Sequence, residues 1–132
     1  MDLRGLGRLF AAPTGVRLPQ QPVPLLPDIV LVLAAHLNII GSHYIEGVPD
    51  LVVEILSPGN WLFDRYDKFL LYQAAGVPEY WIVDYRTETV EIYIWEKGEY
   101  VLQVGRLEGD DTAVSQVLPG FQVEVSAIFQ GL

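Results

Sequence analysis

A strand, a helix and a second strand follow one another in the middle of the chain, and this order constrains the fold more than any other feature. The strands are the apolar runs Leu51–Leu56 and Tyr80–Asp84. The helix is Asp64–Ala75, which has good helix formers, no internal glycine or proline, and Gly76 directly after it. Because such a connection joins parallel strands through a right-handed crossover, the chain is predicted to form a sheet with a parallel pair and a helix on one face.

Further strands flank this unit on both sides. Asp28–Leu33 is a β-branched run after the proline-rich residues 11–27, which we expect to form an extended edge and loop. Val90–Trp95 alternates in polarity and is expected to pair with Tyr100–Val104 as an antiparallel hairpin. A short strand is expected near Gln122–Val125. The prediction is therefore an α/β fold with a mixed sheet.

Composition bounds the number of domains and the kinds of site. With 132 residues we expect a single domain, residues 1–132, and the lack of cysteine excludes disulfides, thiolate metal sites and a cysteine nucleophile. No apolar run reaches the ~18 residues of a membrane-spanning helix, and the N-terminus lacks a signal-peptide pattern, so we expect a cytoplasmic protein. The net charge of −9, with eight lysines and arginines, argues against tight non-specific nucleic-acid binding by a monomer. It does not exclude a nuclease, because divalent cations bound to carboxylates invert the local charge.

Glu54 is the most informative residue for function. Side chains alternate along the strand Leu51–Leu56, so Glu54 shares one face with Val52 and Leu56. A carboxylate in the middle of an apolar strand is costly unless it is paired or binds a cation. Two interpretations stay open from this strand alone: a site residue, or an edge-strand glutamate that meets solvent or pairs with an arginine.

Two further residues could complete a site with Glu54. Asp28 opens another apolar strand directly after a proline, where an aspartate can also serve only as a strand-entry cap. Two carboxylates on neighbouring strands suit Mg²⁺, which takes one or two carboxylates together with water and phosphate oxygens. Lys68 lies in one helical stripe with Asp64 and Tyr72. Its ammonium group could therefore face the carboxylates, or form a surface pair with Asp64.

The remaining candidates lack partners at a spacing typical of a site. His36 and His43 lie in or near a loop and are expected to be exposed, and Ser42 and Ser57 have no histidine partner in a known motif. The chain has no glycine-rich phosphate-binding loop. The aromatic residues of the helix and strands are expected to belong to the core.

Four blocks of sequence stand in a specific order and spacing. They are PDIVLV from residue 27, GVPDLVVEILSP from residue 47, D-x-x-x-K-x-x-x-Y from residue 64 and GVPEYWIVD from residue 76, with LPGF following from residue 118. Together they span about residues 5–129. Over this length the chain resembles the Uma-type family, described as putative restriction endonucleases, of the PD-(D/E)XK nuclease superfamily.

The resemblance implies a fold and a set of roles. The fold is a restriction-endonuclease-like α/β domain, a mixed sheet flanked by helices. Asp28 and Glu54 would be the acidic pair that binds Mg²⁺ or Mn²⁺. Lys68 would be the catalytic lysine, moved onto the helix from the usual strand position, which holds Leu56 in this chain.

The chain also departs from the family pattern. Members begin with a longer helical region, and Met1 stands near the end of that region, so the N-terminal helix is expected to be largely missing. Its absence would leave apolar sheet surface uncovered, and we expect a homo-oligomer or a partner chain to cover this surface. Asp64 and Ser57 match family positions to which the resemblance assigns no clear role.

Three functions remain to be weighed. The first is a divalent-metal-dependent endonuclease that hydrolyses phosphodiester bonds of DNA, with the cation at Asp28 and Glu54 and with Lys68 assisting. The alternative is a truncated, catalytically inactive nuclease-like domain that acts as an interaction or regulatory module. A purely structural α/β domain is disfavoured by Glu54 in its apolar strand.

Overall fold

The computed structural model describes residues 2–56 and 61–130, and of residues 61–66 it describes the backbone alone. Within these residues the strands are β1 Gly7–Ala11, β2 Val16–Arg17, β3 Ile29–Leu33, β4 Ile45–Glu46, β5 Leu51–Leu56, β6 Glu79–Asp84, β7 Thr89–Glu96, β8 Glu99–Leu102, β9 Leu107–Glu108, β10 Thr112–Val114 and β11 Gln122–Glu124. The helices are α1 Trp61–Ala75 and α2 Val125–Gln130, and Ala34–Ile39 forms a 3₁₀ segment.

A mixed sheet of seven strands organises the described part of the chain. Its order is β1-β3-β5-β6-β7-β8, and β9 pairs with β7. β5 and β6 are parallel, and every other adjacent pair in this sheet is antiparallel. The parallel pair is the one joined through α1, so the predicted strand-helix-strand unit and the predicted mixed α/β sheet are confirmed.

The predicted elements differ from the observed ones mainly at their ends. β5 has the predicted bounds, Leu51–Leu56. α1 begins at Trp61, three residues before the predicted start. No glycine or proline occurs between Trp61 and Asp64, so the sequence holds nothing that would delay the helix. The last predicted strand ends at Glu124, and the chain turns directly into α2, which was not predicted.

The N-terminal segment contains a strand that was not predicted. Gly7–Ala11 forms β1, which pairs antiparallel with β3 at the edge of the sheet. Gly7 allows this pairing because its φ is +158° and a Cβ atom there would lie 2.5 Å from the carbonyl oxygen of Val32. The proline-rich residues 11–27 are extended as predicted, and they include β2, which pairs with β4.

The two faces of the sheet carry separate cores. The α1 face packs against α1, and its buried residues include Val52, Leu56, Tyr72, Tyr80 and Ile82. The α2 face packs against α2 and the loop before β11, and its buried residues include Leu31, Leu51, Val53, Trp81 and Ile92.

The α2 face is only partly covered. An apolar groove of about 440 Å³ opens on it, lined by residues that include Leu9, Leu31, Val53, Trp81 and Phe121. Apolar sheet surface was expected to be left open, and this groove agrees with that expectation. Within the described residues, no helix is long and apolar enough to span a membrane.

Candidate active site

Glu54 lies in the interior of the sheet. β5 is flanked by β3 and β6, and Glu54 faces α1 with only 2% of its surface exposed. The interpretation of Glu54 as an edge-strand residue that meets solvent is therefore wrong, because pairing on both sides of β5 leaves no edge. Burial of this carboxylate requires partners that offset its lost hydration.

Helix α1 supplies those partners from positions one turn apart. The Lys68 ammonium group donates to Oε1 of Glu54 at 3.2 Å, and the Tyr72 hydroxyl donates to Oε2 at 2.8 Å. Residues at i and i+4 lie on one helix face, which is why both side chains reach the same carboxylate. The Lys68 side chain is 21% exposed, so it lies between the buried carboxylate of Glu54 and solvent. The proposed surface pair of Lys68 with Asp64 falls on a side chain outside the described residues.

Asp28 approaches Glu54 from the neighbouring strand. It lies immediately before β3, and the pairing of Ile29 with Val53 brings Asp28 beside Glu54. Oδ2 of Asp28 accepts a hydrogen bond from the backbone N–H of Ile55 at 2.7 Å, which fixes the carboxylate on the end of β5. Asp28 is half-buried, unlike Glu54. The structure thus brings Asp28, Glu54 and Lys68 together.

The environment of Glu54 changes its acidity. The pKa of Glu54 is raised from 4.5 to about 7. Burial is the largest cause and the nearby charge of Asp28 adds to it, whereas the Lys68 charge and the Tyr72 and Lys68 hydrogen bonds lower the pKa. Desolvation therefore outweighs the two hydrogen-bond donors. A carboxyl group with this pKa is partly protonated at neutral pH, and an additional positive charge nearby would keep it ionised.

The donor set fits a hard divalent cation. Two carboxylates from adjacent strands repel each other, as the effect of Asp28 on the pKa of Glu54 indicates, and a cation between them would relieve that repulsion. Among the described residues, no group of three histidines, aspartates or glutamates is arranged to hold a metal ion. Asp28 and Glu54 would therefore need oxygen ligands from water and substrate, as Mg²⁺ sites commonly have.

Tyr72 is the site residue that sequence reasoning missed. It was assigned to the core, and it is fully buried there, but its hydroxyl also binds Glu54. The available signal was the helical stripe that Tyr72 shares with Lys68. That spacing fixed the helix face but could not fix which strand residue the face meets.

Other buried carboxylates have local structural partners. Asp50 accepts hydrogen bonds from the backbone N–H of Leu33 at 2.7 Å and from His36 at 2.8 Å. Half of the His36 side chain is exposed, and His43 is exposed, as predicted. The Asp50 contacts hold the end of β3 and the 3₁₀ segment in place.

Comparison with known proteins identifies the family. The family model Uma2, described as "Putative restriction endonuclease", matches residues 1–126. A crystal structure of a putative nuclease belonging to DUF820 from Anabaena variabilis has the same fold, with a TM-score of 0.74 and 18% identity over 96% of this chain and 70% of that chain. No curated protein sequence matches the chain. The resemblance found in the sequence is confirmed, and the chain belongs to the Uma2 family of restriction-endonuclease-like proteins.

Proposed function

We propose that this protein is a divalent-metal-dependent endonuclease that hydrolyses phosphodiester bonds of DNA. The observation that carries this proposal is the buried Glu54 on a central strand, with Lys68 bound to it and Asp28 beside it. A glutamate with this burial and these neighbours has a strongly perturbed pKa, which is typical of functional sites. Membership of the Uma2 family supports the same reaction class.

Each residue has a distinct task in the proposed reaction. Asp28 and Glu54 would hold Mg²⁺ or Mn²⁺, which supplies Lewis acidity toward the attacking water and a phosphate oxygen when bound. The backbone N–H of Ile55 fixes the orientation of Asp28. The partly exposed ammonium group of Lys68 would donate a hydrogen bond to the attacking water or to the negative charge that develops on the phosphate.

The acidity of the chain limits how DNA can be held. With a net charge of −9, the chain as a whole repels DNA phosphates at long range. Contacts to phosphate must therefore come from individual lysine and arginine side chains near the site. Arg86 follows β6 at the end of the sheet where Asp28 lies, and 41% of its side chain is exposed. We propose Arg86 as one phosphate contact. Because few lysine and arginine side chains would contact phosphates, we expect DNA affinity to depend only weakly on salt concentration.

The apolar groove on the α2 face favours a second candidate function. An apolar surface of this kind on a soluble domain marks an interaction site. In this alternative, the protein is a catalytically inactive nuclease-like module whose activity is binding. Under either function we propose self-association through the α2 face, and a cytoplasmic location.

Metal-dependent cleavage tests the endonuclease proposal. Purified wild type, Glu54→Ala and Lys68→Ala are incubated with plasmid and single-stranded DNA, with Mg²⁺, Mn²⁺ or EDTA. The matched controls are Glu99→Ala and Lys97→Ala, which alter exposed residues of the same types in the β7–β8 hairpin. We expect cutting that needs the metal, is lost in both site variants and persists in both controls. A folded, metal-bound wild type that cuts neither substrate would instead support the inactive module.

A further inference from the structure

Both oxygens of Glu54 are already held by donors from α1. Oε2 accepts from the Tyr72 hydroxyl at 2.8 Å, and Oε1 accepts from Lys68 at 3.2 Å. The two donors differ in burial. Lys68 keeps 21% of its side chain exposed, whereas Tyr72 is fully buried. Tyr72 therefore sets the direction of the carboxylate more firmly than Lys68 does.

The ring of Tyr72 is fixed by its neighbours. It packs against the ring of Tyr80, with centroids 5.1 Å apart, and belongs to the core of the α1 face with Phe69 and Tyr100. A locked donor on one carboxylate oxygen is an arrangement that orients a metal ligand.

We propose that Tyr72 is a positioning residue that restricts Glu54 to binding a cation through one oxygen, and that this restriction makes the site prefer Mg²⁺ or Mn²⁺ to Ca²⁺. Ca²⁺ takes six to eight oxygen ligands and often binds both oxygens of a carboxylate, whereas Mg²⁺ requires near-octahedral geometry. Because the Tyr72 hydroxyl occupies one acceptor site of Oε2, a cation that bound both oxygens of Glu54 would have to share Oε2 with this hydroxyl or displace it. This inference rests on the proposed metal site at Asp28 and Glu54.

A purely structural role for Tyr72 leads to a different expectation. A buried hydroxyl needs a hydrogen-bond partner, and its loss would lower stability without distinguishing one cation from another. The selectivity between Mg²⁺ and Ca²⁺ therefore separates the two roles, and it can be measured by binding without any reaction.

Tyr100 provides a matched control. It is buried in the same aromatic cluster, and its hydroxyl donates to the backbone carbonyl of Val77 at 2.9 Å. Tyr100→Phe removes one buried tyrosine hydroxyl from the same core, as Tyr72→Phe does. It removes no contact to Glu54.

The experiment is calorimetric titration of the whole chain with Mg²⁺ and with Ca²⁺, for wild type, Tyr72→Phe and Tyr100→Phe. We expect Tyr72→Phe to weaken Mg²⁺ binding by about tenfold or more, as loss of an orienting partner does. Ca²⁺ binding should weaken less, so the Mg²⁺ preference falls. Tyr100→Phe should change neither affinity.

Three outcomes would overturn the inference. In the first, Tyr72→Phe binds Mg²⁺ as Tyr100→Phe does. In the second, Tyr72→Phe weakens both cations equally, which leaves Tyr72 only a structural role. In the third, wild type binds neither cation, which also removes the metal site of the proposed function and is therefore distinguishable from the other two.

A second variant covers the case in which Tyr72→Phe does not fold. Incorporation of 3-fluorotyrosine at position 72 keeps the hydroxyl and nearly the same size, and it makes the phenol a stronger donor. The preference for Mg²⁺ over Ca²⁺ should then rise above that of wild type. An unchanged or lower preference would contradict the inference.

Discussion

Replacement of Glu54 by glutamine should remove a large part of the pH dependence of stability. The pKa of Glu54 is about 7 in the folded protein against 4.5 for an ordinary glutamate. Because the folded value is raised, the protonated form is favoured by folding. This contribution to stability is fully present below pH 4.5 and is lost as the pH rises through 7.

The size of the effect follows from the two pKa values. One pKa unit corresponds to about 1.4 kcal/mol, so full ionisation of Glu54 costs the folded state about 3 kcal/mol. Most of this stabilisation, on the order of 2 to 3 kcal/mol, is lost between pH 5 and pH 8. Glu54→Gln keeps the shape of the side chain and an acceptor for Tyr72 but cannot ionise. Its free energy of unfolding should therefore fall less than that of wild type over this range.

Urea denaturation in EDTA, followed by tryptophan fluorescence at pH 5, 6, 7 and 8, measures the difference. The exposed carboxylates are common to both proteins, so their titration cancels when the two curves are compared. Glu99→Gln, at an exposed position, controls for the loss of one glutamate. If wild type and Glu54→Gln lose stability in parallel, burial does not perturb Glu54 as argued. Added Mg²⁺ should return stability to wild type at pH 8, because it binds the ionised form.

Three further predictions follow from other contacts. Lys68→Met should weaken Mg²⁺ binding at pH 7, because loss of the charge that lowers the pKa of Glu54 leaves this residue more protonated; calorimetry should find affinity partly restored at pH 9. Glu79→Ala should destabilise the fold by about 3 kcal/mol, since its buried carboxylate accepts three hydrogen bonds, and urea denaturation would measure this. Phe121→Glu, at a residue 43% exposed on the groove, should reduce self-association in sedimentation velocity, and an unchanged mass would argue against that interface.

Local patterns in the sequence determined the central unit of the fold. The apolar run Leu51–Leu56, the helix after it and the strand that ends at Asp84 each have their signal within a few residues. The breaks between them are set by proline and glycine. Since a crossover of this kind has one hand and joins parallel strands, the parallel pair followed without knowledge of distant contacts. The ordered motifs also identified the family.

Pairings between distant segments decided the rest. That Glu54 is interior rather than at an edge depends on β3 and β6 lying on both sides of β5, and strand order is not encoded in any single strand. The N-terminal strand β1 is stabilised by β3, about twenty residues later, which is why its short sequence did not predict it.

The candidate site shows the same division. The sequence by itself placed a carboxylate in an apolar strand and a lysine and a tyrosine on one stripe of the following helix. Only the packing of α1 on the sheet decided that Lys68 and Tyr72 meet Glu54, and only the pairing of β3 with β5 brought Asp28 beside it. The physical reason is that periodicity sets the direction of a side chain relative to its own element, whereas the partner it meets depends on how separate elements pack.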